Sequence, residues 1–220
     1  MRIDVWSDIV CPWCAIGKKR LEKALSVWEH GEQTRVVWHS FELDPTPKAR
    51  RKPVGSLHEL LASKYGMSPA DALAANQRVT DVALAEGMQW NLSIAKPNCT
   101  LDAHRLLQLG ASAGVQKPLM DAMMAAYFAE GKDISDPAVL TELGLAQGLS
   151  PTAIAALLAG DDWLAEVRDD EQQAAAHGIT GVPFFVLGGR YGLSGAQPPE
   201  TFARALAQAW ADPAVQAAIP

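Results

Sequence analysis

Cys11-Pro12-Trp13-Cys14 is the stretch of this sequence whose residue types and spacing point most directly to chemistry. Two thiols separated by two residues can close a disulfide and reopen it, exchanging two electrons with another thiol–disulfide pair. Exchange needs the sulfurs close together but differently placed, and the first turn of a helix does this. Unpaired backbone N–H groups and the helix dipole favour a thiolate at the helix start, while a cysteine three positions on points back into the turn. Cys11 is then the attacking thiol and Cys14 the resolving one. Pro12 suits the first helical position, where its missing N–H costs nothing. Trp13 is either a hydrophobic contact for substrate or part of a core. A zinc site could also use this pair but needs two further ligands. Cys99 and the five histidines (His30, His39, His58, His104 and His177) are scattered without ligand spacing, so no metal is expected.

Elements that position such a pair can be read on either side of it. Arg2–Ser7 alternates as a short strand, Ala15–Glu29 has helical apolar spacing and a following Gly31, and Thr34–Phe41 reads as a second strand. Residues 56–161 then carry a succession of helical patterns. Among them are Pro118–Glu130, whose Met120, Met123, Met124, Tyr127 and Phe128 form a core stripe, and two helices opened by Asp136-Pro137 and Ser150-Pro151. Trp163–His177 reads as a helix. Gly181-Val182-Pro183 leads into the apolar Phe184-Phe185-Val186-Leu187, Gly188-Gly189 turns a hairpin, Arg190–Ser194 returns, and Pro199–Ala211 closes as a helix. Proline at the first position of a strand, after glycine, is compatible with a cis bond. The expected class is α/β, in three segments: 1–48 with the CxxC, 49–161 as an all-helical insertion, and 162–220 with Pro183.

Composition narrows the partners. The 220 residues carry 19 Lys and Arg against 25 Asp and Glu, a net charge of −6, so no nucleic-acid footprint is expected. The basic run Lys48-Ala49-Arg50-Arg51-Lys52 lies between prolines and reads as a solvated loop. Asp4 and Asp8 interrupt any apolar signal core, and no run approaches a membrane span. A cytoplasmic protein is expected, where a cysteine pair is more often catalytic than structural.

Taken together, the cysteine pair after a first strand, the helical insertion and Val182-Pro183 resemble the DsbA branch of the thioredoxin superfamily. Ser7-Asp8-Ile9-Val10-Cys11-Pro12-Trp13-Cys14-Ala15-Ile16-Gly17 is similar to the opening of its FrnE-like proteins. So are Phe41-Glu42-Leu43-Asp44-Pro45, Ala103-His104-Arg105-Leu106, Ala126-Tyr127-Phe128, Gly181-Val182-Pro183-Phe184-Phe185 and Ser194-Gly195-Ala196-Gln197. The resemblance implies a thioredoxin-like fold with an inserted helical domain and a redox-active Cys11–Cys14 pair. It implies a cis Pro183 against that pair, and a Val182 backbone that pairs with the substrate chain. It also implies disulfide or thiol substrates, protein or small molecule, with no tightly bound cofactor, in a monomer or homodimer. His104 is implied to face the active-site cleft, the other reading being a helix-packing histidine. Ser194, Gly195, Ala196 and Gln197 correspond to the region where related kappa-class glutathione transferases and hydroxychromene carboxylate isomerases hold glutathione. Glutathione is therefore a candidate co-substrate, and a glutathione-dependent isomerase or transferase is the alternative function, although those enzymes typically carry serine in place of Cys11. Two departures stand out. Cys99 interrupts an Asn-Thr pair of the relatives and is expected to be a buried cysteine or a third thiol near the site. The second cysteine pair of some FrnE-like proteins is absent. The uncharged Pro12-Trp13 also implies a couple less oxidising than one with histidine between its cysteines.

Overall fold

The computed structural model describes residues 1–46 and 55–218. The basic run Lys48–Lys52 and the expected 48/49 limit lie outside the described residues. The chain divides into two compact units, Met1–Leu43 with Asp170–Pro220, and Asp44–Asp169. The second of these ends later than the expected 161/162 limit, because the helix Leu164–Ala176 is itself divided between the units.

The first unit opens with β1 (Arg2–Ser7), α1 (Pro12–Val27) and β2 (Arg35–Ser40). β1 and β2 run parallel, from Arg2 opposite Arg35 to Ser7 opposite Ser40, and α1 is the crossover that a parallel pair requires. α1 leaves helical geometry at Trp28, whose backbone is extended and whose ring meets Trp210 edge-on. Gly31 therefore does not cap the helix but begins a short 3-10 turn, Gly31–Gln33.

The second unit contains α2 (Leu57–Tyr65), α3 (Pro69–Ala85), α4 (Leu101–Ser112), α5 (Gln116–Phe128), α6 (Pro137–Ala146) and α7 (Pro151–Ala159), with no strand among its described residues. Side chains of Ser56, Ser68 and Asp136 cap α2, α3 and α6, while Ser150 makes no side-chain cap on α7. Met120, Met123, Met124, Tyr127 and Phe128 are buried, with Phe128 stacked on Trp90.

The chain returns through α8 (Leu164–Ala176), β3 (Phe184–Leu187), β4 (Tyr191–Ser194), α9 (Pro199–Trp210) and a short α10 (Pro213–Gln216). The sheet order is β2-β1-β3-β4, with β3 antiparallel to both β1 and β4. Gly188 and Gly189 both take positive φ at the centre of the turn that the Arg190 N–H closes onto the Leu187 carbonyl, in a three-residue loop between Leu187 and Tyr191. Side chains alternate across β1. Ile3, Val5 and Ser7 share the face of Phe185, which meets Phe202 of α9 edge-on and lies beside Gly17 of α1. Trp6 lies on the other face in a cluster with Ala174 of α8, Ile179 and Val186.

Candidate active site

β1 ends four residues before Cys11, and the backbone turns there into α1. The Cys11 N–H donates to the Asp8 carbonyl at 3.2 Å, and the Cys11 carbonyl accepts the first helical bond, from the Cys14 N–H at 3.0 Å. Cys11 is the N-cap of α1 with extended backbone, and Pro12 opens the helix. The Asp8 carboxylate accepts from the Leu43 N–H at 2.8 Å, so the turn after β1 is tied to the segment leaving β2.

Both cysteines are free thiols. Cys14 is completely buried, Cys11 keeps 5% of its surface, and Trp13 between them is 41% exposed. Cys11 is thus the more accessible sulfur, although less open than a helix start alone implies. Its Sγ donates to the Val182 carbonyl at 3.6 Å. Burial pushes the Cys14 thiol well up from its ordinary range, and the adjoining Cys11 sulfur adds to the shift. The Ser7 hydroxyl and the Asp8 backbone N–H act the other way and favour the Cys14 thiolate.

The opposing wall comes from the far end of the chain. The Val182–Pro183 peptide bond is cis. Val182 packs against the Trp6 cluster, and the Pro183 carbonyl accepts from the Gly195 N–H at 2.8 Å. The turn Ser194–Gln197 is held in turn by α1, where Arg20 Nη1 donates to the Ala196 carbonyl at 2.7 Å. Within that turn the Gln197 N–H donates to the Gly195 carbonyl and Gln197 Nε2 to the Ser194 carbonyl. The Gly195 and Gln197 amides are therefore committed to main-chain carbonyls.

His104, on α4 in the other compact unit, is buried. Its neighbour Arg105 serves the architecture of that unit. Nη2 donates to the Leu157 and Gly160 carbonyls, both at 2.6 Å, Nε donates to the Asp162 carbonyl, and Nη1 pairs with Asp102. Cys99 is half-buried rather than buried, because the segment before α4 turns Asn98 and Thr100 inward and Cys99 outward.

His39 is the centre of a buried charged cluster. Its Nδ1 donates to Asp170 at 2.6 Å and its Nε2 to Asp4 at 2.8 Å, and the Trp6 ring stacks on it with centroids 4.5 Å apart. Burial alone lowers a histidine, yet hydrogen bonds and charge from Asp170 and Asp4 outweigh it and raise His39 to about 9. Asp4 is lowered: burial opposes this, but the hydrogen bonds to His39 and Arg2 prevail. Asp170 also accepts from the Ser40 N–H, and its carbonyl accepts from Trp6 Nε1. The cluster thus joins β1, β2 and α8. Ser7 and Gly17 stand at the two ends of the motif around the cysteines, Ser7 buried on β1 and Gly17 beside Pro183 and Phe185.

A model of the DSBA-like thioredoxin domain matches residues 2–207. A probable DsbA oxidoreductase from Streptomyces coelicolor is 42% identical in sequence. Its crystal structure matches with a TM-score of 0.92 over 96% of this chain and 91% of that one. The protein YwbO of Bacillus subtilis is 26% identical over 212 residues, which is 94% of this chain and 96% of that protein. The fold is also that of the cytosolic disulfide reductase DsbM from Pseudomonas aeruginosa in its structure with GSH. That match has 20% identity and a TM-score of 0.64 over 94% of this chain and 98% of that one. The family match runs from the first residue of β1 into α9 and so takes in both the cysteine pair and the Val182-Pro183 wall. On that extent, and on the thiol pair it contains, the chain belongs to the DSBA-like thioredoxin domain family of thiol–disulfide oxidoreductases.

Proposed function

We propose that Cys11 is the attacking sulfur and Cys14 the resolving sulfur in exchange with protein or small-molecule disulfides. The supporting observation is the asymmetry of the pair: Cys11 retains surface and meets the Val182 carbonyl, while Cys14 is sealed in the first turn of α1. In the reducing direction the Cys11 thiolate attacks a substrate sulfur and releases the other as a thiol. Cys14 then gives up its proton, attacks the Cys11 sulfur, and the second substrate sulfur leaves and takes up a proton. The enzyme loses two electrons and the substrate disulfide gains them; oxidation is the reverse. Pro12 and Trp13 frame the attacking sulfur, and the exposed Trp13 offers an apolar surface to the substrate. Val182 and Pro183 position the chain being exchanged. Ser194, Gly195, Ala196 and Gln197 form the turn that meets the substrate, glutathione among the candidates. A reducing cytoplasm is the setting such a pair suits. A glutathione-dependent isomerase has no use for a second sulfur, so the buried Cys14 favours the exchange reading.

The test is trapping. Cys11→Ser should abolish exchange, and Cys14→Ser should accumulate a mixed disulfide on Cys11 when the protein is offered oxidised glutathione or a disulfide peptide. Mass spectrometry that finds the adduct on Cys14 in wild-type protein, or faster alkylation of Cys14 than of Cys11, reverses the assignment.

A further inference from the structure

The resolving step requires a thiolate where the structure is least hospitable to one. Cys14 is completely buried, and a buried anion needs hydrogen-bond donors in place of water. Ser7 is the last residue of β1 and 3% exposed, and its Oγ is buried with no hydrogen-bond partner among the described residues. A buried hydroxyl left unpaired costs about 1–3 kcal/mol and calls for an explanation. Strand alternation explains its direction: Ser7 follows Ile3 and Val5 on the face of β1 that α1 covers, and Cys14 lies in the first turn of α1. The hydroxyl and the Asp8 backbone N–H both act on the Cys14 thiol in the direction of its thiolate.

We infer that Ser7 is a catalytic hydrogen-bond donor to the Cys14 sulfur, idle toward the thiol and engaged when Cys14 becomes a thiolate to attack the mixed disulfide on Cys11. The inference rests on the reading of Cys14 as the resolving thiol. Ser7 keeps its own proton throughout. The Cys14 proton is lost before attack, the Cys11–Cys14 bond forms as the bond from Cys11 to the substrate sulfur breaks, and the leaving sulfur takes up a proton. The ionisable group acting directly on Cys14 is Cys11, whose charge is removed once it is in mixed disulfide. The Asp8 carboxylate is engaged by the Leu43 N–H. Among the described residues the Ser7 hydroxyl and the Asp8 N–H favour the Cys14 thiolate, and of these two only the hydroxyl can be deleted by substitution.

The experiment uses the full chain in a Cys99→Ala background, reacted with 5,5′-dithiobis(2-nitrobenzoate) in stopped flow. The first release of thionitrobenzoate reports attack by Cys11 and the second reports resolution by Cys14. Each is followed from about pH 6 to pH 10, across the ordinary thiol range. Ser7→Ala should leave the first phase within about twofold and slow the second about tenfold near neutral pH, the scale of one hydrogen bond to a charged group. Its pH profile should move upward. Ser7→Gly carries the same test should the alanine variant not fold. An unchanged second phase and profile, or equal slowing of both phases, overturns the role of Ser7. Failure of the underlying reading looks different: the second phase would then persist in Cys14→Ser.

Discussion

Gly17 sits in the second turn of α1, where helix propensity alone favours alanine by about 1 kcal/mol. Its surroundings reverse that preference. A Cβ at this position would stand 3.0 Å from Pro183 Cγ, 3.2 Å from Phe185 Cζ and 3.5 Å from the Ala196 Cα. Comfortable carbon contacts lie at about 3.5–4.0 Å, so two of the three neighbours must give way. Phe185 is fully buried and edge-on to Phe202, and Pro183 is tied to Gly195 through its carbonyl. Overpacking of this kind costs about 1–3 kcal/mol, which against the propensity gain leaves Gly17→Ala about 1 kcal/mol less stable. For a chain of this size that is about 2–4 °C in Tm. The kinetic effect should be larger in proportion. α1 carries Cys14 and is capped by Cys11, so what yields is the spacing between α1 and the Val182-Pro183 wall, and with it the 3.6 Å contact of Cys11 with the Val182 carbonyl. Exchange with a disulfide peptide should slow about tenfold, short of the hundredfold that a full ångström of misplacement can cost. Urea unfolding and stopped-flow exchange on the same variant decide the matter. A variant stabilised by about 1 kcal/mol with wild-type exchange would refute the reasoning, because α1 would then have room for a methyl group that the packing denies it.

Cys99→Ala should keep exchange within about tenfold of wild type, since Cys99 has no partner at motif spacing; a larger loss, beyond about 1.4 kcal/mol of barrier, would place it in the site. Arg105→Ala should destabilise by about 3 kcal/mol, and Arg105→Lys should not restore it, because one ammonium cannot span the Leu157, Gly160 and Asp162 carbonyls; a loss under about 1 kcal/mol in urea unfolding would contradict this. His39, raised to about 9, contributes stability that is complete below its unfolded value of about 6.5 and lost as pH rises through about 9. Asp4, which is lowered, contributes above the ordinary carboxylate value and is lost on acidification through its folded value. Urea midpoints should therefore fall between about pH 6.5 and pH 9 in wild type and flatten over that range in His39→Gln, and a wild-type curve flat across it would count against a charged His39.

The strands, the long helices and the cysteine pair were legible because each is written locally. Alternation marks β1, helical spacing marks α1, and the pair sits where one gives way to the other. The same signal that revealed Asp136-Pro137 as a helix start was present in Asp212-Pro213, whose side chain caps α10 on the Ala214 N–H, but the helix is too short to show a period. What could not be read depends on register and on contacts between distant segments. Asp4, His39 and Asp170 have no common spacing. They meet because β1 pairs with β2 in a register that sets Trp6 opposite His39, and because α8 delivers Asp170 to the same sheet face. A lone histidine in an apolar strand gives no sign of two carboxylates waiting for it. Gly17 and Ser7 are intermediate cases. The closeness of Gly17 to Pro183 follows from a contact across most of the chain, which no local pattern encodes. Ser7 was within reach of local reasoning, because the alternation that turns Ile3 and Val5 inward also turns a hydroxyl toward the helix that carries the second cysteine. A polar residue at an inward position of an otherwise apolar strand, just before a cysteine pair, is the kind of local inconsistency that marks a working site rather than a flaw in the core.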